Sequence, residues 1–328
     1  MPRQLWVALV AVCSIGCGSS DDPAGTGGAG GSAGASGSGA GGSAGASGSG
    51  GGSAGMAGSS GAAGGTSTGG SAGAAGAAGA PNGSMQFVGD FETGDLSVWS
   101  FSGNDTTHVI DSPVRSGSYA AQMLVSPSDA VPYRSELTAK SDKGTFYDGK
   151  EYWIGVSFQI VDWGADLPSW ATLFQTHATP HPLPGGGGAD WTCNAGKNSI
   201  TVTTSGDQMA LNVVVDPDQS QLPGTAAIAT KVWSEPFKVG VWYDWVFHYR
   251  PSTQADGIVE AWRNGEKIYS HTGANRFVLD NCNLPATPQT YMKVGIYRDK
   301  ANTSTQILDY DEVRIFAGSN GYSAVAPK

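Results

Sequence analysis

The sequence of 328 residues has few cysteines, few cationic residues and no segment with a clear helical pattern. Four cysteines are present, and two of them, Cys13 and Cys17, lie near the N-terminus, before the region that can fold. Lys and Arg number 18 against 28 Asp and Glu, so the net charge is -10. This balance argues against nucleic acid as a general partner. It still permits an anionic ligand that binds in a locally basic cleft.

Because no segment of helical length has apolar residues at a period of 3.6, the alternation at period two decides the fold class. Residues 151–160 (EYWIGVSFQI) place Tyr152, Ile154, Val156, Phe158 and Ile160 on one face. Residues 242–250 (WYDWVFHYR) do the same with Tyr243, Trp245, Phe247 and Tyr249. Asn264-Gly265 predicts a tight hairpin turn within 258–271. Further strands are predicted over 107–112, 119–126, 199–204, 209–215 and 307–316. This pattern predicts an all-β fold of two packed antiparallel sheets, a sandwich or jelly roll.

The N-terminal residues have the features of an export signal. Arg3 precedes an apolar run over 5–12 that is too short to span a bilayer, and small residues precede Cys17. Gly16-Cys17 resembles the lipobox of bacterial lipoproteins, which implies a lipidated Cys17, a membrane anchor and a place on the outer membrane or cell surface. Plain secretion with an incidental cysteine is the alternative. We expect the signal to cover residues 1–17.

Residues 18–83 are almost entirely Gly, Ala and Ser after the first few positions, and such a segment cannot offset the entropy of ordering its backbone. We expect a disordered tether there and one folded domain over 84–328, which we expect to be monomeric. The domain contains Cys193 and Cys282, which in an exported protein predict one disulfide. Two buried free thiols are the alternative.

One predicted strand, residues 291–298 (YMKVGIYR), has polar groups opposite its aliphatic ones. If its aliphatic side chains face the core, Tyr291, Lys293 and Tyr297 face the other way. Gly295 between them would leave room for a ligand near the backbone.

Two further strands show the same property. In residues 173–177 (LFQTH), Gln175 and His177 share a face, and in residues 133–137 (YRSEL), Arg134 and Glu136 share one. Taken singly, each pattern is typical of ordinary surface or structural residues. The three together are more specific.

YRSEL resembles the R-S/T-E-L/V motif of family 7 jelly-roll alginate lyases, FQTH their Q-I-H motif and YMKVGIY their Y-F-K-x-G-x-Y motif, in the same order. The flanking segments FETGDLSVW, EYWIGVSFQI, WYDWVFHYR and YDEVRIF resemble glucuronan lyases and heparin-lyase-like proteins. The resemblance covers nearly all of residues 87–316. It implies a concanavalin-like jelly roll that cleaves glucuronan or an alginate-like polymer by β-elimination, with no cofactor required for catalysis. Thr176 stands where alginate lyases carry Ile or Val, so the polymer stays open.

β-Elimination removes the C5 proton of a uronate and expels the C4 oxygen, so the sugar carboxylate must first be neutralised. The resemblance assigns this to Arg134 and Gln175. In glucuronate or mannuronate the proton and the oxygen lie on the same side, and Tyr297 can be both base and acid while His177 helps to neutralise charge. In guluronate or iduronate they lie on opposite sides, with His177 as base and Tyr297 as acid. The flanking sequence favours the first case.

The predicted substrate-binding residues are Lys293, Tyr291, Glu136, Arg298 and Lys197; Arg276 and Lys300 are further candidates. Asp90, Glu92 and Asp311 lie near the two ends of the domain, which in such folds often meet. We expect that they could hold a structural calcium there, with ordinary surface carboxylates as the alternative.

A non-catalytic carbohydrate-binding module on the cell surface is the main alternative function. It would show exposed aromatic platforms without a convergent set of Arg, Gln, His and Tyr. A glycoside hydrolase needs two carboxylates flanking the bond. The E-x-D-x-x-E strand motif of hydrolases with this fold is absent from the sequence.

Overall fold

The computed structural model describes residues 79–178, 198–217, 229–276 and 290–328, and the backbone of 181–182 and 189–190. The predicted export signal and most of the predicted tether lie outside the described residues. So do Cys17, Cys193, Lys197 and Cys282, and the predictions made for them stay predictions.

Strands account for nearly all of the described secondary structure. In chain order they are β1 (Asn82–Gly89), β2 (Trp99–Gly103), β3 (His108–Ile110), β4 (Ala120–Val125), β5 (Arg134–Ala139), β6 (Thr145–Phe146), β7 (Tyr152–Asp162), β8 (Ala171–Ala178), β9 (His181–Pro182), β10 (Ala189–Asp190), β11 (Ile200–Ser205), β12 (Gln208–Val213), β13 (Thr230–Pro236), β14 (Trp242–Arg250), β15 (Ile258–Arg263), β16 (Glu266–Thr272), β17 (Thr290–Arg298) and β18 (Gln306–Ser319). One short helix, α1 (Tyr322–Val325), follows. The all-β fold class predicted from the alternation is confirmed.

Two sheets of eight strands form the fold. The first sheet has the order β16-β15-β14-β7-β18-β4-β3, with β1 also pairing with β18. The second has the order β13-β12-β11-β8-β17-β5-β2, with β6 also pairing with β17. Neighbouring strands are antiparallel. Since β1 pairs along β18, the two ends of the domain meet, as the sequence predicts.

The core lies between the sheets, and the predicted alternation identifies its residues. On β7 the side chains of Ile154, Val156 and Phe158 are buried in it, and on β14 so are Trp245 and Phe247. The hairpin prediction is confirmed as well. Asn264 and Gly265 have φ of 49° and 83°, the positive values that a tight two-residue turn requires.

The outer face of the first sheet is also covered, which the alternation does not predict. Trp153, Val246, Trp262 and Phe316 form a second apolar cluster there with Val325 of α1. The C-terminal residues therefore cover Trp153, which lies on the face of β7 opposite the core. Within the described part of the chain, no helix is long and apolar enough to cross a membrane.

A charged cluster lies on the same outer face. The imidazole of His248 lies between two carboxylates, with Nδ1 2.8 Å from Glu260 and Nε2 3.0 Å from Glu151. Lys267 donates to Glu260 as well, at 2.7 Å. Hydrogen bonding from His248, followed by that from Lys267, lowers the pKa of Glu260 from 4.5 to about 2.

This depressed pKa predicts acid-sensitive stability. A carboxyl group whose pKa is lower in the folded state stabilises the fold above its unfolded pKa, here 4.5, and loses that contribution as pH falls towards about 2. Each pKa unit corresponds to about 1.4 kcal/mol, but solvent screens this half-buried group, so the contribution is on the order of 1–2 kcal/mol. We expect Glu260→Gln to lower the free energy of unfolding at pH 7 and to flatten its decline between pH 4.5 and 2.

Urea unfolding of both proteins across that pH range measures the effect. The control is Glu266→Gln, at an exposed residue of β16. An unchanged pH dependence in Glu260→Gln would show that this cluster does not govern acid stability.

Candidate active site

The three motif strands are neighbours in the second sheet, in the order β8-β17-β5. Residues that pair directly across antiparallel strands share a face of the sheet. On β17, Tyr291 pairs with His177 and Lys293 with Gln175, while Tyr297 pairs with Arg134. Segments that are far apart in the sequence thus present their polar side chains on the outer face of one sheet, opposite the core.

Glu136 is the centre of a buried polar network. Its side chain is 1% exposed and accepts a hydrogen bond of 2.6 Å from the amide of Gln175. Lys293 Nζ lies 3.3 Å from one of its oxygens and Arg134 Nε lies 3.4 Å from the same oxygen. Two cations therefore lie beside one buried carboxylate among the described residues, although the whole chain is acidic.

This network corrects the roles that the sequence predicts for two residues. Glu136 and Lys293 are predicted substrate ligands, but they are only 1% and 4% exposed, and Lys293 also donates to Ser102. They lie beneath the surface and hold Arg134 and Gln175. Glu136 accepts hydrogen bonds from Gln175 and Lys293 and forms an ion pair with Arg134, so its charge is compensated inside the protein.

Gln175 is likewise engaged below the surface. Its amide donates to Glu136, and its oxygen accepts a 2.5 Å hydrogen bond from Asn198. Asn198 also accepts from the backbone N–H of Ala178, at 3.3 Å. Asn198 is not predicted from the sequence, because no motif marks the segment just before β11.

Tyr297 lies in an aromatic and cationic surrounding. The guanidinium carbon of Arg134 is 4.2 Å from the centroid of its ring. The ring of Trp170 meets it edge-on at 5.0 Å, and that of Tyr133 lies at 6.3 Å. A guanidinium over the face of an aromatic ring is attracted to it electrostatically, so the two side chains fix each other's position. Trp170 and Tyr133 were also missed, although each directly precedes a motif strand.

His177 lies beside Tyr291, near the start of β17, whereas Tyr297 is near the end of that strand. Its Nδ1 is 2.7 Å from the carbonyl oxygen of Ala178. Because a carbonyl can only accept, Nδ1 carries the proton and Nε2 is the basic nitrogen. His177 pairs with Tyr291, six residues before Tyr297 on β17, which is about 20 Å of extended strand. The structure therefore places Arg134, not His177, next to Tyr297.

Arg298 is not at the substrate surface, which makes the prediction for it wrong. It is 0% exposed, and its guanidinium donates to the carbonyls of Pro132 and Ser304 and, at 2.9 Å, to Asn302. Because residues alternate along a strand, Arg298 points away from the face that Tyr297 occupies. It joins the loops before β5 and after β17.

Of the two further candidates for substrate binding, Arg276 is buried and Lys300 is exposed. Arg276 is buried against Asp148, in an ion pair of 2.5 Å. Lys300 is exposed, and its Nζ lies 4.5 Å from the centroid of the Tyr133 ring.

The glycine between the two tyrosines also has a different role from the predicted one. Gly295 has a φ of 140°, and a Cβ built there would lie 2.3 Å from the carbonyl oxygen of Ser135. The space beside Gly295 is therefore occupied by β5 and not by a ligand.

The three predicted calcium ligands do not form a shared site. Asp90 pairs with Arg314 at 3.0 Å, and Glu92 accepts backbone hydrogen bonds from Ser118 and Tyr119. Asp311 accepts from backbone N–H groups, and burial raises its pKa to about 6. Among the residues that the structure describes, no group of three or more His, Cys, Asp or Glu side chains can hold a metal ion.

Comparison with known proteins gives matches to one family. A model of the polysaccharide lyase family matches residues 91–314. The endo-β-1,4-glucuronan lyase of the fungus Trichoderma reesei has a TM-score of 0.54 and 17% identity, over 72% of this chain and 96% of that one. Alginate lyase A1-II′, of polysaccharide lyase family-7, has a TM-score of 0.45 and 14% identity, over 71% and 99%. No curated protein sequence matches.

The similarity to the glucuronan lyase shows a common fold. The match to the family model extends over most of the chain and includes β5, β8 and β17 with all three motifs. The chain therefore belongs to the polysaccharide lyase family.

Proposed function

We propose that this protein cleaves a uronic-acid polymer by β-elimination, with Tyr297 as both base and acid. The observation that carries the proposal is the pairing of Tyr297 with Arg134 across β17 and β5, with the guanidinium 4.2 Å from the phenol ring. This arrangement joins a proton-transferring hydroxyl to a cation that suits a planar carboxylate.

The chemistry begins with the carboxylate of the sugar at the cleavage point. Arg134 binds it and withdraws charge, which stabilises the enolate-like intermediate that follows loss of the C5 proton. Glu136 forms an ion pair with the Arg134 side chain and is itself held by hydrogen bonds from Gln175 and Lys293.

Proton transfer then completes the reaction. Tyr297, as phenolate, takes the proton from C5; the electrons of that C–H bond form the C4–C5 double bond, and the C4–O bond breaks. The same phenol returns the proton to the leaving oxygen. One residue can do both only when proton and oxygen lie on the same side of the ring, so the proposed substrate contains glucuronate or mannuronate, with glucuronan favoured.

Other side chains on the outer face of the second sheet would bind the polymer beyond the reacting sugar. His177 and Tyr291, whose ring centroids are 5.2 Å apart, lie at one end, and Lys300 with Tyr133 lies beyond Tyr297 at the other. Aromatic rings stack on sugar rings and cations bind further carboxylates. We propose that these residues bind the neighbouring sugars.

We further propose that this activity lies outside the cell, because the N-terminal residues resemble an export signal with a lipobox. Cys17 would carry the lipid anchor, and the Gly-, Ala- and Ser-rich segment up to residue 83 would be the tether to the membrane. Such a tether lets the domain reach polymer well clear of the membrane surface.

Ultraviolet absorbance tests the proposal, because elimination creates a C4–C5 double bond conjugated with the carboxylate. The purified protein is incubated with glucuronan, polymannuronate, polyguluronate and heparin, and with a neutral glucan as control. We expect a rise with glucuronan or polymannuronate and none with the glucan. A rise with polyguluronate alone would contradict the role of Tyr297 as sole base and acid. Binding without any rise would move the protein to the class of carbohydrate-binding modules.

A further inference from the structure

The ladder between β17 and β8 has an irregularity directly before Tyr297. Val294 pairs with Phe174, but the next pair is Tyr297 with Thr172. Two residues of β17, Gly295 and Ile296, thus face one residue of β8, Leu173. Such a bulge interrupts the cross-strand hydrogen bonds and changes the direction in which the next side chain points. The side chain that follows here is that of Tyr297.

A tyrosine from the opposite sheet fills this irregularity. Tyr310 of β18 is 0% exposed. Its hydroxyl donates a 2.6 Å hydrogen bond to the carbonyl oxygen of Leu173 and lies 3.2 Å from that of Gly295. Both carbonyls belong to the residues at which the ladder breaks. The hydroxyl supplies the donor that a regular ladder would take from a backbone N–H.

The hydroxyl keeps its proton under all ordinary conditions. Burial raises the pKa of Tyr310 well above its usual value. Tyr310 therefore remains a donor and takes no part in proton transfer, and its position inside the sandwich prevents contact with a polymer on the outer face.

We propose that Tyr310 is a positioning residue, which fixes the bulge in β17 and thereby the placement of the Tyr297 phenol beside Arg134. This inference rests on the proposed function, because it assigns Tyr310 a part in the reaction of Tyr297. On the β5 side of β17 the register stays regular, with Tyr297 opposite Arg134. On the β8 side, where the register is irregular, the Tyr310 hydroxyl contacts the carbonyls of Leu173 and Gly295.

The test compares Tyr310→Phe with Tyr249→Phe. Tyr249 is the matched control: it is also 0% exposed, and its hydroxyl reaches β17 from the first sheet, 3.4 Å from Thr290 Oγ1 at the far end of that strand. We expect kcat of Tyr310→Phe to fall about tenfold to a hundredfold with KM within about twofold, because small misplacements of a reacting group cost that much. Tyr249→Phe should keep kcat. Equal kcat values in both variants would overturn the proposal.

A readout without substrate separates this inference from the proposed function. In protein with ¹³C-labelled tyrosine, the ring signals of Tyr297, assigned with Tyr297→Phe, should shift in Tyr310→Phe and stay in place in Tyr249→Phe. Unshifted signals in Tyr310→Phe would overturn the positioning role even in an active enzyme. Shifted signals in a protein inactive on every polymer would support the positioning role while the proposed function fails.

Wild-type protein provides a measurement that does not depend on whether a variant folds. A hydroxyl proton bonded to a carbonyl in the core exchanges slowly with water and gives its own proton NMR signal. We expect such a signal from Tyr310, and its absence would overturn the proposal.

Discussion

We expect Tyr297→Phe to lower kcat of polymer cleavage by about a thousandfold or more, because we propose that the hydroxyl makes both proton transfers and each contributes about 10²–10⁴-fold. The phenylalanine ring keeps the contacts with Arg134 and Trp170. We therefore expect the free energy of unfolding and the affinity for polymer to change little. Initial rates of ultraviolet absorbance, with titration calorimetry for binding, measure the two effects separately.

The control for this substitution is Tyr119→Phe, which removes a hydroxyl from a tyrosine that is 37% exposed and directly precedes β4 of the other sheet. It should retain full activity. A normally folded Tyr297→Phe that cleaves polymer at the wild-type rate would mean that another group takes the C5 proton.

We expect Glu136→Gln to lower the free energy of unfolding by about 3–5 kcal/mol, because it removes a buried carboxylate that lies beside two buried cations. Arg134 Nε and Lys293 Nζ lie 3.4 and 3.3 Å from the same oxygen. Glutamine has the same shape, so the loss reports charge and not packing. Activity falls as well, since Arg134 is no longer held beside Tyr297.

An exposed ion pair is the comparison for this effect. Arg250 and Asp256 lie 2.7 Å apart, with side chains 34% and 51% exposed. Asp256→Asn should cost about 1 kcal/mol or less, since water screens such pairs. Urea unfolding measures both substitutions. If Glu136→Gln costs no more than Asp256→Asn, the cations do not depend on Glu136.

Local pattern was sufficient to predict the fold and the face that carries the site. The alternation in β7 and β14 depends only on which side chains face the core, and Asn264-Gly265 depends only on backbone preference. The three motifs were assigned to one surface because residues two apart on a strand share a face. These properties are local, so the sequence displays them.

Burial of the polar residues was not predictable in the same way. Alternation puts Glu136 and Lys293 on the outer face, but it does not show that they bind each other beneath the surface. The covering of Trp153 by α1 depends on where the chain returns after β18. The bulge at Gly295 depends on pairing with β8, more than a hundred residues earlier. Each of these results from contacts between distant segments.

The calcium prediction illustrates the same limit. The ends of the domain meet as expected, since Asn82 pairs with Ser319. The carboxylates of Asp90 and Asp311 do not form a shared metal site, however. Asp90 accepts a hydrogen bond from Arg314, and Asp311 accepts one from the backbone N–H of Arg115. Sequence gives the type of each side chain, whereas its partner depends on the packed structure.

The central claim is elimination, and the masses of the products from the glucuronan incubation test it most directly. Elimination adds no water, so each cut leaves one fragment whose new end is a C4–C5 unsaturated uronate, one water lighter than the corresponding hydrolysis product. In water enriched in ¹⁸O, the account predicts unsaturated fragments with no ¹⁸O introduced by the cut. Saturated fragments that carry ¹⁸O at the new reducing end would show hydrolysis and contradict it.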